Sequence, residues 1–240
     1  MHTLFIPSDY EAVDFLRTLE RREKKRINGV PVTTGFLAGV PVRVAVCGMG
    51  QPHSARRIRI VLESLRSSRE AEPVCLIGFG GGLDPSLKRY DIVWLSRSDV
   101  PAVVGAVSAA TADFPEGAVR RIDHVYTSEV VLDTEEKKRA AFETTGASIV
   151  DMETGPFLEL LQEYGREGAV LRVISDDVSE EFPADLIGNS YDFARGKNTP
   201  FRLCWRLLRH PGDLFRLRRF LAPLPEARRR LLAFVSKVCQ

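Results

Sequence analysis

The sequence predicts an α/β domain built on a largely central sheet, continued by a basic helical tail. Three observations carry that prediction. The stretch Val74-Cys75-Leu76-Ile77 is a compact apolar run that breaks into glycine at Gly78, Gly80, Gly81 and Gly82. That is the pattern of a buried parallel strand whose carboxyl end serves as a binding floor, because glycine lets a ligand approach the main chain. Further apolar runs alternate with helical patterns along the chain, which argues for one sheet covered by helices. From Arg195 onward the composition shifts: Arg202, Arg206, Arg209, Arg216, Arg218, Arg219 and the run Arg228 to Arg230 face only Asp213 and Glu226.

With 240 residues, 44% of them hydrophobic, the chain can bury one large core with an appendage. A charged fraction of 28% and a net charge of +2 are ordinary, so global charge singles out no nucleic-acid partner. Cys47, Cys75, Cys204 and Cys239 form no CxxC or metal-ligand spacing. Two of them fall in strand patterns, which suits reduced thiols in a cytoplasmic setting. No apolar run reaches the roughly 18 residues of a membrane span, and the first residues lack a signal pattern.

In order, residues 3–6 read as a strand stopped by Pro7. Ser8 with Glu11 resembles a capping box that opens a helix carrying Val13, Leu16 and Leu19. The charged run 20–26 reads as a solvated turn. Residues 36–38 and 40–47 read as paired strands, followed by the Gly48-Met49-Gly50 loop and a helix over 53–65. After the central strand and an Asp84-Pro85-Ser86 turn comes a strand over 91–95. Residues 97–118 support no element. A strand over 122–128 is followed by a helix over 134–142, capped at Asp133 or Thr134. A short strand over 147–150 then enters Asp151-Met152-Glu153 and a helix through Phe157, Leu160 and Leu161. The last apolar strand, 170–174, ends at Ser175-Asp176-Asp177. These elements place an α/β domain over 1–195 and a helical extension over 196–240.

Pro211 and the Pro223/Pro225 pair divide the extension into three short helices. Their apolar faces pack on the main domain while the arginines reach water. The alternative is a basic amphipathic surface, with 201–235 making peripheral contact with an anionic membrane through Phe201, Trp205, Phe215, Phe220 and Phe234.

Three features carry candidate chemistry. The glycine cluster lacks the spacing of a dinucleotide fingerprint and reads either as a pocket floor or as a tight strand exit. Glu153, just past a strand, accepts hydrogen bonds from ligand hydroxyls or is favoured by a helix dipole. Asp176, ending an apolar strand, is a desolvated proton donor or a helix N-cap.

Taken together, Gly48-Met49-Gly50, Gly80-Gly81-Gly82-Leu83 with Asp91-Ile92-Val93, Val150-Asp151-Met152-Glu153 and Arg172-Val173-Ile174-Ser175-Asp176 resemble, in that order, the purine nucleoside phosphorylase and methylthioadenosine/adenosylhomocysteine nucleosidase superfamily. The resemblance covers residues 1–190. The Gly81 to Pro85 string, with Arg56-Arg57 after the Gly48 loop, looks most like its hopanoid-associated phosphorylase branch.

The resemblance implies a three-layer α/β/α fold with a mixed central sheet. It also implies cleavage of a purine N-glycosidic bond without a metal or organic cofactor, by phosphate as co-substrate in preference to water. Glu153 would hold the ribose hydroxyls and Met152 would pack on the sugar. Asp176, beside Ser175, would protonate the leaving base, and Gly50, Gly80, Gly81 and Gly82 would shape the pocket. The implied partner is a small nucleoside, and the implied assembly a homo-oligomer. One part departs from the family's pattern. Ala12 falls where a nucleophile-handling glutamate or arginine belongs, and Glu11 is one residue off, about 100° around a helix. Arg43 and Arg56 then become the candidate phosphate ligands. A member that binds a nucleoside without turning it over is the other function class.

Overall fold

The protein is described by a computed structural model over residues 1–66, 73–96, 101–192, 197–198, 205–207 and 209–240. Its sheet is assembled around two strands buried along most of their length. β5 (Val74–Gly82) and β10 (Gly168–Asp176) run parallel, in register from Gly168 against Val74 to Ile174 against Gly80. β1 (His2–Ile6) flanks β5 on its other side, also parallel. β4 (Val40–Val46) pairs with β1 and continues antiparallel through β3 (Val30–Leu37) to β2 (Glu20–Ile27). On the far side β6 (Ile92–Ser96) is antiparallel to β10 and parallel to β7 (Val119–Arg121). β8 (Val125–Thr127) and β9 (Ile149–Asp151) attach to the carboxyl end of β5. Among the described residues the result is one mixed sheet of ten strands. A separate two-residue hairpin joins β11 (Tyr191–Asp192) to β12 (Lys197–Asn198).

Side-chain alternation sorts the two faces of the sheet. Leu4, Ile6, Ile77, Leu171 and Val173 meet α1 (Asp9–Thr18) and α3 (Pro101–Thr111) on one face. Phe5, Leu76 and Val170 meet α2 (Gln51–Ser64) and α5 (Thr154–Glu163) on the other. The fold is therefore a three-layer α/β/α sandwich. α4 (Glu135–Thr145), α6 (Ala184–Ser190) and two tail helices complete it.

Several sequence expectations need correction. Residues 20–26 are not a turn but most of β2, almost wholly exposed at the sheet edge. Dense charge suits an unpaired edge, where it discourages pairing with another chain. The 97–118 stretch contains α3, whose small residues let Val107 and Ala110 pack closely into the core. The strand expected over 122–128 is shortened to β8; β7 precedes it, and Ile122 between them donates its N–H to Trp94 O at 2.9 Å. β5 continues through its glycines to Gly82, because β9 and β10 supply backbone partners there.

The prolines separate the tail helices as the sequence suggests: residues 205–207 and 209 are helical before Pro211, and one helix lies on each side of Pro223. α7 (Gly212–Leu221) follows Pro211, and α8 (Leu224–Val238) runs uninterrupted. Pro225 occupies its first turn, where the missing N–H would have had no partner. Ala227, Leu231, Phe234 and Val235 of α8 join the core that contains Leu4 and Ile77. Phe234 meets Phe114 edge to face at 5.3 Å, and Arg228 pairs with Asp14 of α1 at 2.9 Å. Of the aromatics assigned to a membrane surface, Phe220 and Phe234 face inward, while Trp205 and Phe215 are 59% and 72% exposed. Phe201 and the 195/196 boundary lie outside the described residues. No helix among the described residues is long and apolar enough to cross a membrane.

Because α8 closes one face of the sheet, Phe234→Ala is expected to cost about 3–5 kcal/mol of stability, the usual range for removing a buried phenyl ring. Urea unfolding measures it. A loss below about 1 kcal/mol would show that α8 is peripheral to the core.

Candidate active site

A cavity of about 420 Å³ opens where β1, β5, β9 and β10 end. Its wall includes Glu11, Phe79, Met152, Glu153, Ser175 and Asp176. Strand ends collect here because parallel neighbours stop at the same level and leave the following loops to enclose a crevice.

Glu153 enters from the β9–α5 junction, where it is the N-cap of α5. Its Oε1 accepts the Gly50 N–H at 2.9 Å, and its Oε2 lies 3.4 Å from Arg172 Nη2. Burial pushes its carboxyl up to about 7; Arg172 opposes the shift and Asp151 reinforces it.

Arg172 sits in the middle of β10 and is fully buried. Its Nη2 donates to Asp151 Oδ2 at 2.5 Å, and Asp151 also accepts from the Thr154 N–H at 3.2 Å. The guanidinium crosses β5 at Gly78, its register partner. A Cβ on Gly78 would lie 2.5 Å from Arg172 Nη1 and 2.6 Å from Glu11 Oε1, so only glycine admits both groups. Among the described residues, Arg172 Nε and Nη1 have no protein acceptor.

Glu11 reaches this point from α1. Ser8 caps that helix by accepting the Glu11 N–H at 3.2 Å, as the sequence suggests. The Glu11 carboxylate returns to the Ser8 backbone, as in a capping box. It also accepts the Ser8 hydroxyl at 2.5 Å and the Phe79 N–H at 2.8 Å. Burial raises its pKa, against the pull of those hydrogen bonds and of Arg172. Ala12, placed by the family's spacing at the functional position, is wholly inside the core. The helix thus presents Glu11 to the cavity, one residue before the expected position.

Asp176 closes the opposite wall. The β5–β10 register slips between Ile174 and Asp176, where one extra residue makes a bulge. A bulge re-aims the side chains that follow it. Here it turns both Ser175 and Asp176 into the cavity wall, which strict alternation would forbid. Ser175 Oγ donates to Asp176 Oδ1 and Lys138 Nζ to Oδ2, each at 2.5 Å.

Of the residues selected from sequence, Met152, Glu153, Ser175, Asp176, Gly80 and Gly81 line the cavity. Gly50 stands behind Glu153 as its backbone donor, and Gly82 lies in the β5–β9 ladder outside the lining. Arg43 is tied to Thr3 Oγ1 at 3.1 Å on β4, and Arg56 is exposed on α2; neither lines the cavity. Arg57, one residue on, does. Sequence reasoning missed Glu11, Arg172 and Lys138 as site residues. A signal for Arg172 was available, since an arginine inside a wholly apolar strand must bring buried acidic partners.

The raised Glu153 carboxyl has a consequence for stability. Between its ordinary 4.5 and about 7 the folded state keeps a proton that the unfolded chain has released. Folding is therefore favoured at the acid end of that window and loses stability as pH rises through it. Glu153→Gln is expected to flatten this part of the stability–pH curve in urea titrations. An unchanged slope would assign the dependence to another group.

The family model for the phosphorylase superfamily matches residues 3–209. Comparison with curated proteins yields no match. Among solved structures, the 5'-methylthioadenosine/S-adenosylhomocysteine nucleosidase of Neisseria meningitidis, in complex with methylthio-immucillin-A, is 16% identical. It aligns over 98% of this chain and 96% of its own with a TM-score of 0.69. A futalosine hydrolase mutant of Helicobacter pylori is 15% identical over 99% of this chain and 98% of its own, with a TM-score of 0.68. The Colwellia psychrerythraea 5'-methylthioadenosine/S-adenosylhomocysteine nucleosidase, in complex with adenine, is 19% identical over 76% and 84%, with a TM-score of 0.64. These likenesses show the fold, and the family match, which spans most of the chain and every wall of the cavity described above except that contributed by α7 and α8, establishes that the chain belongs to the phosphorylase superfamily.

Proposed function

We propose that the protein cleaves the N-glycosidic bond of a purine nucleoside, with adenine as the leaving base and water as the nucleophile. The observation that carries the choice of water is the Glu11 carboxylate, held at the cavity wall by Ser8 and Phe79. A carboxyl raised by burial is a better base near neutral pH than an exposed one. Arg172 Nη1, converging with Glu11 over Gly78 from beneath the cavity, places a positive charge beside that base. An anionic phosphate in the same place would face Glu11 at close range. The nucleosidases and the hydrolase of like fold, and the adenine-type ligands named with two of them, agree with this reading.

In this mechanism Glu153 accepts the ribose hydroxyls, its orientation fixed by Gly50, and Met152 packs on the sugar. As the C1′–N9 bond breaks, its electron pair moves onto the base, and Asp176 supplies a proton at N7. Positive charge develops on the sugar. The carboxylates of Glu153 and Glu11 stabilise it before water adds at C1′ and gives its proton to Glu11.

Phosphate remains the competing nucleophile, and Arg57 is the observation in its favour. Among the described residues it is the cation lining the cavity, and it makes no hydrogen bond or ion pair. One assay separates the two: release of adenine from 5′-substituted adenosines, with and without inorganic phosphate, followed by analysis of the sugar product. The free 5′-substituted ribose formed without phosphate is expected, and Glu11→Gln is expected to lower turnover by about 10²–10⁴-fold, as for loss of a general base. The 1-phosphate of that 5′-substituted ribose as product would overturn the choice of water. Ligand binding without release of base would mark the protein as a non-catalytic member of its family.

A further inference from the structure

We propose that Lys138 is the positioning residue and counter-charge of the leaving-group acid, a role that rests on the reading of Asp176 given above. Lys138 lies on α4, 38 residues before Asp176, and is completely buried. Its ammonium has three acceptors: Asp176 Oδ2 at 2.5 Å, the Glu180 carbonyl at 2.7 Å and the Asp177 carbonyl at 2.8 Å. Three acceptors use all three of its protons. It is therefore not available to a ligand and acts through Asp176.

The chemistry explains why a charge belongs there. When Asp176 gives its proton to the departing base, an O–H bond breaks, an N–H bond forms, and a carboxylate is left at a site only 3% exposed. An unpaired buried anion is costly, so a proton transfer that creates one is opposed. The ammonium against Oδ2 offsets that new charge as it develops. With Ser175 Oγ–H on Oδ1 it also fixes the plane of the carboxyl group. The same ammonium holds the turn after β10, which Arg89 grips from outside through Glu180 at 2.6 and 3.0 Å. Phe182, two residues further, lines the cavity. The acid and the wall beside it thus share one anchor.

The test compares two substrates. A 5′-substituted adenosine has a base that must be protonated to leave. A 4-nitrophenyl riboside has a leaving group that carries its own negative charge. Lys138→Met is expected to lower kcat on the adenosine by about 10²–10³-fold, as for loss of one transition-state partner, with KM changed much less. On the nitrophenyl riboside the loss is expected to be at least tenfold smaller, and Lys138→Arg is expected to recover part of the adenosine activity. Adenosine turnover equal to that of wild type, or equal losses on the two substrates, would overturn the proposal and leave Lys138 a structural residue. Should circular dichroism show Lys138→Met unfolded, Lys138→Gln, which retains hydrogen bonding without charge, takes its place under the same criteria. A wild-type protein that releases no base at all would refute the glycosidic reading itself, a result distinct from either failure of the lysine.

Discussion

One guanidinium holds the site together. Arg172 lies under the cavity with Asp151, Glu153 and Glu11 around it, one fixed positive charge against three acidic groups. A buried arginine is tolerated only where carboxylates repay its desolvation, and buried carboxylates only where a cation or several N–H groups do the same. The requirement runs in both directions and fixes much else. Gly78 has to lack a side chain, β5 and β10 have to keep their register, and Asp151 has to be braced by Thr154. Burial, joined at Glu153 by the neighbouring acids Asp151 and Glu11, outweighs Arg172 in this imbalance and raises both the Glu11 and the Glu153 carboxyl.

That imbalance is useful chemistry rather than a defect. A fully neutralised cluster would leave carboxylates too weak as bases to take a proton near neutral pH. A cluster with no cation would drive them all to the neutral form. Arg172 holds the group between these limits. On the opposite wall Asp176 is treated differently, with a single lysine and a hydroxyl on its two oxygens. The two halves of the cavity therefore carry different charge environments on one backbone frame, as the two opposite proton transfers proposed above require.

Much of this was legible in the sequence where periodicity or composition is distinctive. The apolar run 74–77 and the glycines after it located the central strand and 170–174 read as the last one, while Met152, Glu153, Ser175 and Asp176 were brought together by the resemblance to the family. The misses share a physical cause: they depend on contacts between distant segments. β2 looked like a turn because its charges were weighed while the backbone bonds from β3 could not be seen. Glu11 looked misplaced because helix rotation was counted from a family spacing, whereas Ala12 and Phe15 are the residues α1 gives to the core, which leaves Glu11 for the cavity. The bulge at Ser175 and the reach of Lys138 leave no local trace at all. No rule of spacing anticipates a lysine on one helix closing on an aspartate 38 residues later.

The placement of α8 bears on how the chain acquires its structure during synthesis. Residues 224–238 complete the same core as β1 and α1, and the Arg228–Asp14 contact joins positions 214 residues apart. A nascent chain can build β1 to β10 early, with α1 and α3 on this face, yet the part that α8 covers stays open to solvent until residues 224–238 have left the ribosome. During that interval the core positions later met by Ala227, Leu231 and Phe234 are an uncovered apolar surface, the kind of transient state that invites aggregation. The helix that closes it anchors itself through Arg228 on Asp14, while Arg229 and Arg230 pair with its own Glu226. The docking of residues 224–238 is thus the step that completes the core begun by β1 and α1.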